Sequence, residues 1–200
     1  MQRAKVVLIG NSSVGKTALF NRFETNEFNE DTSPTIGGAC KNIDVTIDEN
    51  GKQVPLVIWD TAGQESFRSI VPMYFSRAAF ILIVYDISSK VSFEGVIDWY
   101  NAAKEKAPED AKFILVGNKS DLADKREVSF EQMNELSESL NFFFDTETSA
   151  ATGTGVNTLL TSIAATALKG MPASSDKAFI RETVSIEKQE NEQKNEGCCG

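Results

Sequence analysis

Gly10-Asn11-Ser12-Ser13-Val14-Gly15-Lys16-Thr17 is the stretch on which the fold turns. It follows the apolar run Val6-Val7-Leu8-Ile9 and precedes a helical-looking segment from Ala18 to Phe23, so its glycines fall at a strand-to-helix turn. That context matches G-x-x-x-x-G-K-[ST], the pattern of a P-loop. The two glycines let the backbone curl until successive N–H groups face one phosphate, and the helix starting near Gly15 adds the positive end of its dipole. The candidate nucleotide-binding residues of the loop are Ser12, Ser13, Val14, Gly15, Lys16, Thr17 and Ala18. Lys16 would reach the β- and γ-phosphates, and the Thr17 hydroxyl would bind Mg²⁺. Alone, the motif specifies a nucleotide without saying which; an ordinary glycine-rich turn is the plain alternative.

Outward from this loop, apolar runs alternate with helix-like segments, the pattern of a parallel sheet covered on both faces. Lys5 to Gly10 reads as the first strand and Lys16 to Glu24 as the first helix. Ile43, Val45 and Ile47 alternate with polar neighbours, and Asp48-Glu49-Asn50-Gly51 supplies Asn-Gly turn chemistry before Val54 to Trp59. Strands two and three therefore read as a hairpin, with strand two an antiparallel edge. Buried strands follow at Ala79 to Tyr85, Lys112 to Gly117 and Phe142 to Thr146, separated by helices near Val91 to Lys106 and Phe130 to Leu140. The last helix places Val156, Leu159, Leu160, Ile163, Ala164 and Ala167 on one face. The expected fold is α/β, a mostly parallel six-stranded sheet with helices on both faces.

The bulk composition sets limits on function. A chain of 200 residues that is 41% hydrophobic can bury one good core, so a single domain over residues 1–170 and a tail over 171–200 are expected. Lys plus Arg total 20 against 29 Asp plus Glu, a net charge of -9, which argues against nucleic-acid binding and against adhesion to an acidic membrane surface. No secretory apolar region follows Met1 and no apolar run approaches the length of a membrane span, so a soluble protein of the reducing cytosol is expected. The chain has no histidine, which rules out histidine-based catalysis and His-metal sites.

In an open parallel sheet the ligand lies at the carboxyl ends of the strands. Strand three ends Asp60-Thr61-Ala62-Gly63-Gln64-Glu65. Asp60 is placed to hold Mg²⁺, the Gly63 N–H to meet a γ-phosphate and Gln64 to orient an attacking water; Asp60 as a cap for a helix beginning near Ser66 is the alternative. Strand five ends Gly117-Asn118-Lys119-Ser120-Asp121. A carboxylate at Asp121 accepting two hydrogen bonds selects guanine, whose N1–H and N2 amine form a donor pair that adenine lacks. A simple turn would also use these residue types. After strand six, in Glu147-Thr148-Ser149-Ala150, the backbone N–H groups of Ser149 and Ala150 could meet the guanine O6.

These motifs together resemble the small GTPases of the Ras superfamily and, within it, the Rab family of vesicle-traffic switches. The likeness covers about residues 3–168 and is carried by the P-loop, Ser33-Pro34-Thr35-Ile36-Gly37, Trp59 to Glu65, Asn118 to Asp121, Glu147 to Ala150 and a terminal cysteine pair. It implies the P-loop small-GTPase fold, GTP and GDP as ligands, Mg²⁺ held by Thr17, Thr35 and Asp60, and catalytic roles for Lys16, Thr35, Gly63 and Gln64. It further implies that Phe28 packs on the base, that Leu122 lines the base site, and that the loops around Thr35 and from Gly63 to about Tyr74 are ordered only by the γ-phosphate. Ile36, Gly37, Cys40, Trp59, Phe67 and Tyr74 take the positions of an effector face. Ile36 to Cys40, Val71 to Tyr74 and Leu122 to Arg126 look most like the early-endosome branch.

Six positions at four places depart from the family pattern. Cys40 stands where an aromatic is usual, Ser66 where Arg is usual, Phe75-Ser76-Arg77 where Tyr-Arg-Gly is usual, and Ala151 where Lys commonly packs near the base. The Ala151 departure predicts weaker binding or faster GDP release, and the loss of a ring at position 40 removes contact area of the kind that anchors interfaces.

The implied reaction is attack of water on the γ-phosphate of GTP. No arginine stands as a finger in cis, Arg68 lying in the second loop, so intrinsic turnover on the order of 10⁻⁴ per second is expected. A monomer served by an exchange factor, a GTPase-activating protein, a GDP-dissociation inhibitor or escort protein and effectors follows from the resemblance. From Met171 to Gly200 there are four basic and six acidic residues, a solvated linker able to span at most about 100 Å. It ends Cys198-Cys199-Gly200, and the C-a-a-X pattern fails because Gly197 is not a cysteine. The family likeness implies a geranylgeranyl group on each of Cys198 and Cys199. Two lipids also suit the physics, since one anchors only marginally and an acidic tail cannot act as the second signal. The expected place is the cytoplasmic face of an endomembrane, in exchange with cytosol. A nucleotide-locked scaffold, a small GTPase of another Ras-superfamily branch and a P-loop ATPase or kinase are the alternatives, and Asp121 counts against the last.

Overall fold

The computed structural model describes residues 3–28, 38–48, 51–61 and 72–169. Six strands form one sheet in the order β2-β3-β1-β4-β5-β6. They are β1 (Ala4–Ile9), β2 (Gly38–Thr46), β3 (Gln53–Thr61), β4 (Phe80–Asp86), β5 (Lys112–Asn118) and β6 (Phe144–Glu147). All neighbouring pairs are parallel except β2 with β3, which run antiparallel from Gly38↔Thr61 to Thr46↔Gln53. The helices are α1 (Lys16–Thr25), α2 (Pro72–Phe75), α3 (Lys90–Glu94), α4 (Val96–Lys104), α5 (Phe130–Ser139) and α6 (Val156–Lys169).

Two cores explain why the central strands are apolar without alternation. On one face, Leu19, Phe20 and Phe23 of α1 and Leu159, Leu160 and Ile163 of α6 pack with Val6, Leu8, Ile58, Leu82 and Val84. On the other, Val96, Trp99 and Ala103 of α4 and Met133 of α5 pack with Val7, Ile9, Ile81, Ile83 and Leu115. Every residue of β4 is buried, as a strand covered on both sides must be. Each of its fully buried aliphatic side chains contributes roughly 1.5–3 kcal/mol relative to exposure.

Element ends fall where local chemistry puts them. Asn26, left-handed at φ 55°, ends α1 and returns its N–H to Arg22 O. Ser129 and Gln132 form a reciprocal capping box at the start of α5. At Gly51 (φ 74°), the chain comes out of the β2–β3 turn in the conformation that the Asn-Gly signal anticipates.

Four boundaries differ from the sequence expectation. The β2 strand begins at Gly38 rather than near Ile43; most of its residues are exposed, so backbone pairing extends it without leaving an apolar alternation to read. The sixth strand runs Phe144–Glu147 instead of Phe142 to Thr146, although Phe142 and Phe143 are still buried. The helix expected from Val91 to Lys106 is divided at Gly95, which lies hard against the P-loop. A short 3-10 helix, Ser120–Lys125, follows β5 where the sequence reading places no helix.

Candidate functional site

The described residues among those singled out above gather at the carboxyl ends of β1, β3, β5 and β6, with Asp86 at the end of β4 beside them. The P-loop leaves β1 at Gly10, whose φ is 142° and where a Cβ would lie 2.1 Å from Val84 O. Gly15 has φ 93°, and a Cβ there would lie 2.3 Å from the Asn118 amide nitrogen. Both positions therefore demand glycine, by conformation and by space. No side chain caps the N-terminus of α1, and the positive end of a helix favours an anion there.

Lys16 is 5% exposed, and its Nζ donates to Gly10 O at 3.0 Å and Asn11 O at 2.7 Å. An ammonium has three donors, so two fix its direction and one is left for a phosphate oxygen. Burial pulls its pKa down to about 8, against the attraction of Asp60; a phosphate nearby would reverse that shift by favouring the cation.

The Thr17 hydroxyl donates to Asp60 Oδ2 at 2.7 Å, and Asp60 is 1% exposed. A hydroxyl and a buried carboxylate this close are the hard oxygen donors that Mg²⁺ takes alongside phosphate and water. Among the described residues no group of three or more acidic, cysteine or histidine side chains forms a metal cage. The residues present fit the group. Thr35, the third expected ligand, lies outside the described residues.

Asn118 is fully buried and joins three segments. Its Nδ2 donates to Val14 O in the P-loop at 2.9 Å, while its Oδ1 accepts from Thr148 Oγ1 and from the Ala150 N–H, both at 3.2 Å. The same two strand ends are stitched by Thr148 N to Gly117 O at 2.8 Å and Ser120 N to Thr148 O at 3.1 Å. Ser149 Oγ donates to Asp121 Oδ1, which orients the exposed carboxylate assigned to guanine. Arg126 clasps Glu147 through both nitrogens, at 2.6 and 2.9 Å. Lys119, left-handed at φ 64°, pairs with Asp86 at 2.7 Å.

Leu122 sits inside the 3-10 helix with non-helical dihedrals. Phe28 is 39% exposed, an open ring just past the end of α1. Ala150 is buried, and both it and Ala151 give their carbonyls to Arg22: Nε to Ala150 O at 3.0 Å and Nη2 to Ala151 O at 2.7 Å. Arg22 also donates to Asn26 O. Thus Arg22 ties the loop after β6 to the last turn of α1, and the position where family members commonly carry Lys is held by its backbone.

A second cluster lies at the exposed edge. Cys40 is exposed and pairs in register with Trp59. Trp59 and Tyr74 stand 5.6 Å apart between ring centroids, and the Lys5 ammonium lies 4.7 Å from the Trp59 ring. A Cβ at Gly38 would come within 2.6 Å of the Tyr74 hydroxyl, so the tyrosine side chain leaves no room for one at the start of β2. Of the effector positions, Cys40, Trp59 and Tyr74 are brought together. Ile36, Gly37, Gly63, Gln64, Ser66, Phe67 and Arg68 lie outside the described residues, as do Cys198 and Cys199. The departure at Arg77 falls at φ 59°, a backbone conformation in which glycine carries least strain.

Asn11, Arg22, Asp86 and Trp99 were not anticipated as site residues. Each acts through a partner far away in sequence, and only the P-loop position of Asn11 could have drawn attention to it.

The sequence model of the Ras family matches residues 5–169. Among curated proteins, the chain is similar to Ras-related protein Rab-11C of Dictyostelium discoideum, with 45% identity over 76% of this chain and 67% of that protein. It is 38% identical to Ras-related protein Rab-10 of Caenorhabditis elegans over 98% of this chain and 95% of that one. With Ras-related protein Rab-15 of Mus musculus it shares 39% identity, covering 96% and 91%.

Proposed function

Because the chain belongs to the Ras family, in its Rab branch, we propose that it is a GDP/GTP-cycled switch of endocytic or vesicular transport that hydrolyses GTP slowly and recruits effectors in the GTP state. It binds GTP, GDP and Mg²⁺ and is a GTPase, as the family is. The observation that carries the proposal is the Asn118 bridge, which fastens a phosphate-binding loop to a guanine-reading loop at one end of the sheet.

In this reading the loop N–H groups from Ser12 to Ala18 and Lys16 hold the phosphates, with Asp121, Leu122, Ser149, Ala150 and Phe28 around the base. Thr17, Thr35 and Asp60 would hold Mg²⁺, which when bound neutralises charge on the β- and γ-phosphates. Lys16 stabilises the charge that develops at the β–γ bridge, the Gly63 N–H meets the γ-phosphate, and Gln64 orients the attacking water. With Arg68 given to a solvent or regulator contact rather than to the γ-phosphate, a GTPase-activating protein completes the charge stabilisation, and an exchange factor opens the site for GDP release. Effectors read Ile36, Gly37, Cys40, Trp59, Phe67 and Tyr74. Residues 171–200 form a tail carrying geranylgeranyl groups at Cys198 and Cys199, which a GDP-dissociation inhibitor or escort protein shields in the cytosol. Among the described residues no helix is long and apolar enough to cross a membrane, so a lipid anchor is the device this reading calls for.

Two substitutions test it. Gln64→Leu should abolish most GTP turnover while leaving GTP bound, and Asp121→Asn should move preference from guanine toward xanthine nucleotides. Turnover unchanged in the first variant removes the role given to Gln64. Retained GTP selectivity in the second overturns the base assignment.

A further inference from the structure

Trp99 lies on the buried face of α4, 3% exposed, and its indole Nε1 donates to Asn11 Oδ1 at 2.7 Å across 88 positions of sequence. Asn11 follows the first glycine of the P-loop. Its main-chain carbonyl is the nearer of the two that hold Lys16 Nζ, at 2.7 Å. Gly95, one turn before Trp99, completes the seat: a Cβ there would stand 2.9 Å from both the oxygen and the nitrogen of the Asn11 amide. The chain divides its helix into α3 and α4 at this glycine.

These contacts grip Asn11 on two sides. Its side chain is held by the helix, and its carbonyl faces the lysine. An indole N–H can only donate and, once buried, needs an acceptor; here the acceptor belongs to the phosphate loop. Without it, an asparagine side chain readily bonds to the nearby backbone and bends a loop into an Asx turn.

We infer that Trp99 is a positioning residue of the nucleotide site: by holding the Asn11 amide it fixes the peptide whose carbonyl aims Lys16, and so sets how long the chain retains its nucleotide. This rests on the reading of the loop as a guanine-nucleotide site. Trp99 acts through Asn11 and not by touching phosphate. A contact that keeps a binding loop in its competent shape strengthens binding by the fraction of competent molecules it preserves.

The test uses the purified full-length chain loaded with a fluorescent GDP analogue. Release rate and thermal midpoint are compared for wild type, Trp99→Phe, Asn11→Ala and the double variant. The phenylalanine keeps an apolar ring but loses the N–H. Each single change should speed release roughly fivefold, the worth of one lost hydrogen bond. The double variant should release no faster than the quicker single, since both remove the same contact. Asn11→Asp keeps an acceptor and should bring the rate back toward that of wild type, whereas Asn11→Leu, of similar size but with no acceptor, should release as fast as Asn11→Ala; a space-filling role predicts rescue by both.

Unchanged release in Trp99→Phe, or strictly additive effects in the double, overturns the inference. Should Trp99→Phe fail to fold, the contrast between Asn11→Leu and Asn11→Asp carries the same test, and equal release rates overturn it. A wild-type chain that does not retain GDP at all defeats the nucleotide reading instead.

Discussion

Replacing Asn118 with alanine measures how much of this site depends on one buried amide. Asn118 is fully buried and makes three hydrogen bonds, to Val14 O, Thr148 Oγ1 and the Ala150 N–H. At about 1 kcal/mol each, their loss amounts to about 3 kcal/mol. If the bridge serves to hold the two loops in binding geometry, that energy is read as GDP affinity, and the dissociation constant should weaken on the order of 100-fold. If it serves only stability, the thermal midpoint should fall by roughly 6–12 °C for a domain of this size. Thr148→Val removes one of the three bonds and should cost about 1 kcal/mol, roughly fivefold in affinity. The assay is titration of each variant with a fluorescent GDP analogue, alongside thermal unfolding of the same samples. An Asn118→Ala dissociation constant within threefold of wild type, at an unchanged midpoint, would refute the bridging argument. So would equal losses in the two variants, because the bonds would then not be counting.

Two further outcomes follow from other contacts. Burial pushes the Asp86 carboxyl up, but hydrogen bonds from Lys119 and Ser88, with the Lys119 charge, hold it below the ordinary carboxylate range. With its folded pKa below the unfolded value of about 3.9, its contribution is present above that pH and lost as pH falls through the folded pKa. The stability gap between wild type and Asp86→Asn, read from urea midpoints, should therefore narrow below about pH 4, and a gap equal at pH 7 and pH 3 would contradict the ion pair. Arg77 sits at φ 59°, so Arg77→Gly relieves left-handed strain of about 1 kcal/mol at a comparable entropic cost. Its midpoint should match or exceed that of wild type, and a fall of several degrees would show that the arginine side chain carries a contact worth more than the strain.

What could be read in the sequence, and what could not, divides along the range of the interactions. The gathering of the P-loop, Asp60 and Asn118 to Asp121 at one end of the sheet was legible because each motif, as a phosphate or guanine site would need, sets particular residue types at fixed local spacing after a strand. The alternation of buried strands with helices was legible for the same local reason. The contacts of Trp99 with Asn11 and of Arg22 with Ala150 and Ala151 span 88, 128 and 129 positions. They exist because the sheet order sets β1 between β3 and β4 and brings α1 beside the loop after β6, and no local periodicity records that. The start of β2 was missed because an exposed edge strand is held by its backbone ladder, which places no demand on side chains.

On the proposed reading, those long-range contacts predict that the nucleotide is released slowly. The phosphate loop and the base loop are separate in sequence, yet Asn118 bonds to both, Arg22 joins the base loop to the helix that starts at the phosphate loop, and Trp99 holds the far side of the phosphate loop. Two half-sites on such a frame behave as a divalent receptor. Once the diphosphate is seated, the base meets its own half-site at a high effective concentration, and the reverse holds when the base seats first. Guanosine or pyrophosphate alone engages one half and forfeits that gain. Release of the intact nucleotide then requires both halves to open together. A factor that accelerates exchange has to loosen the frame, because competing for either half alone leaves the other still holding.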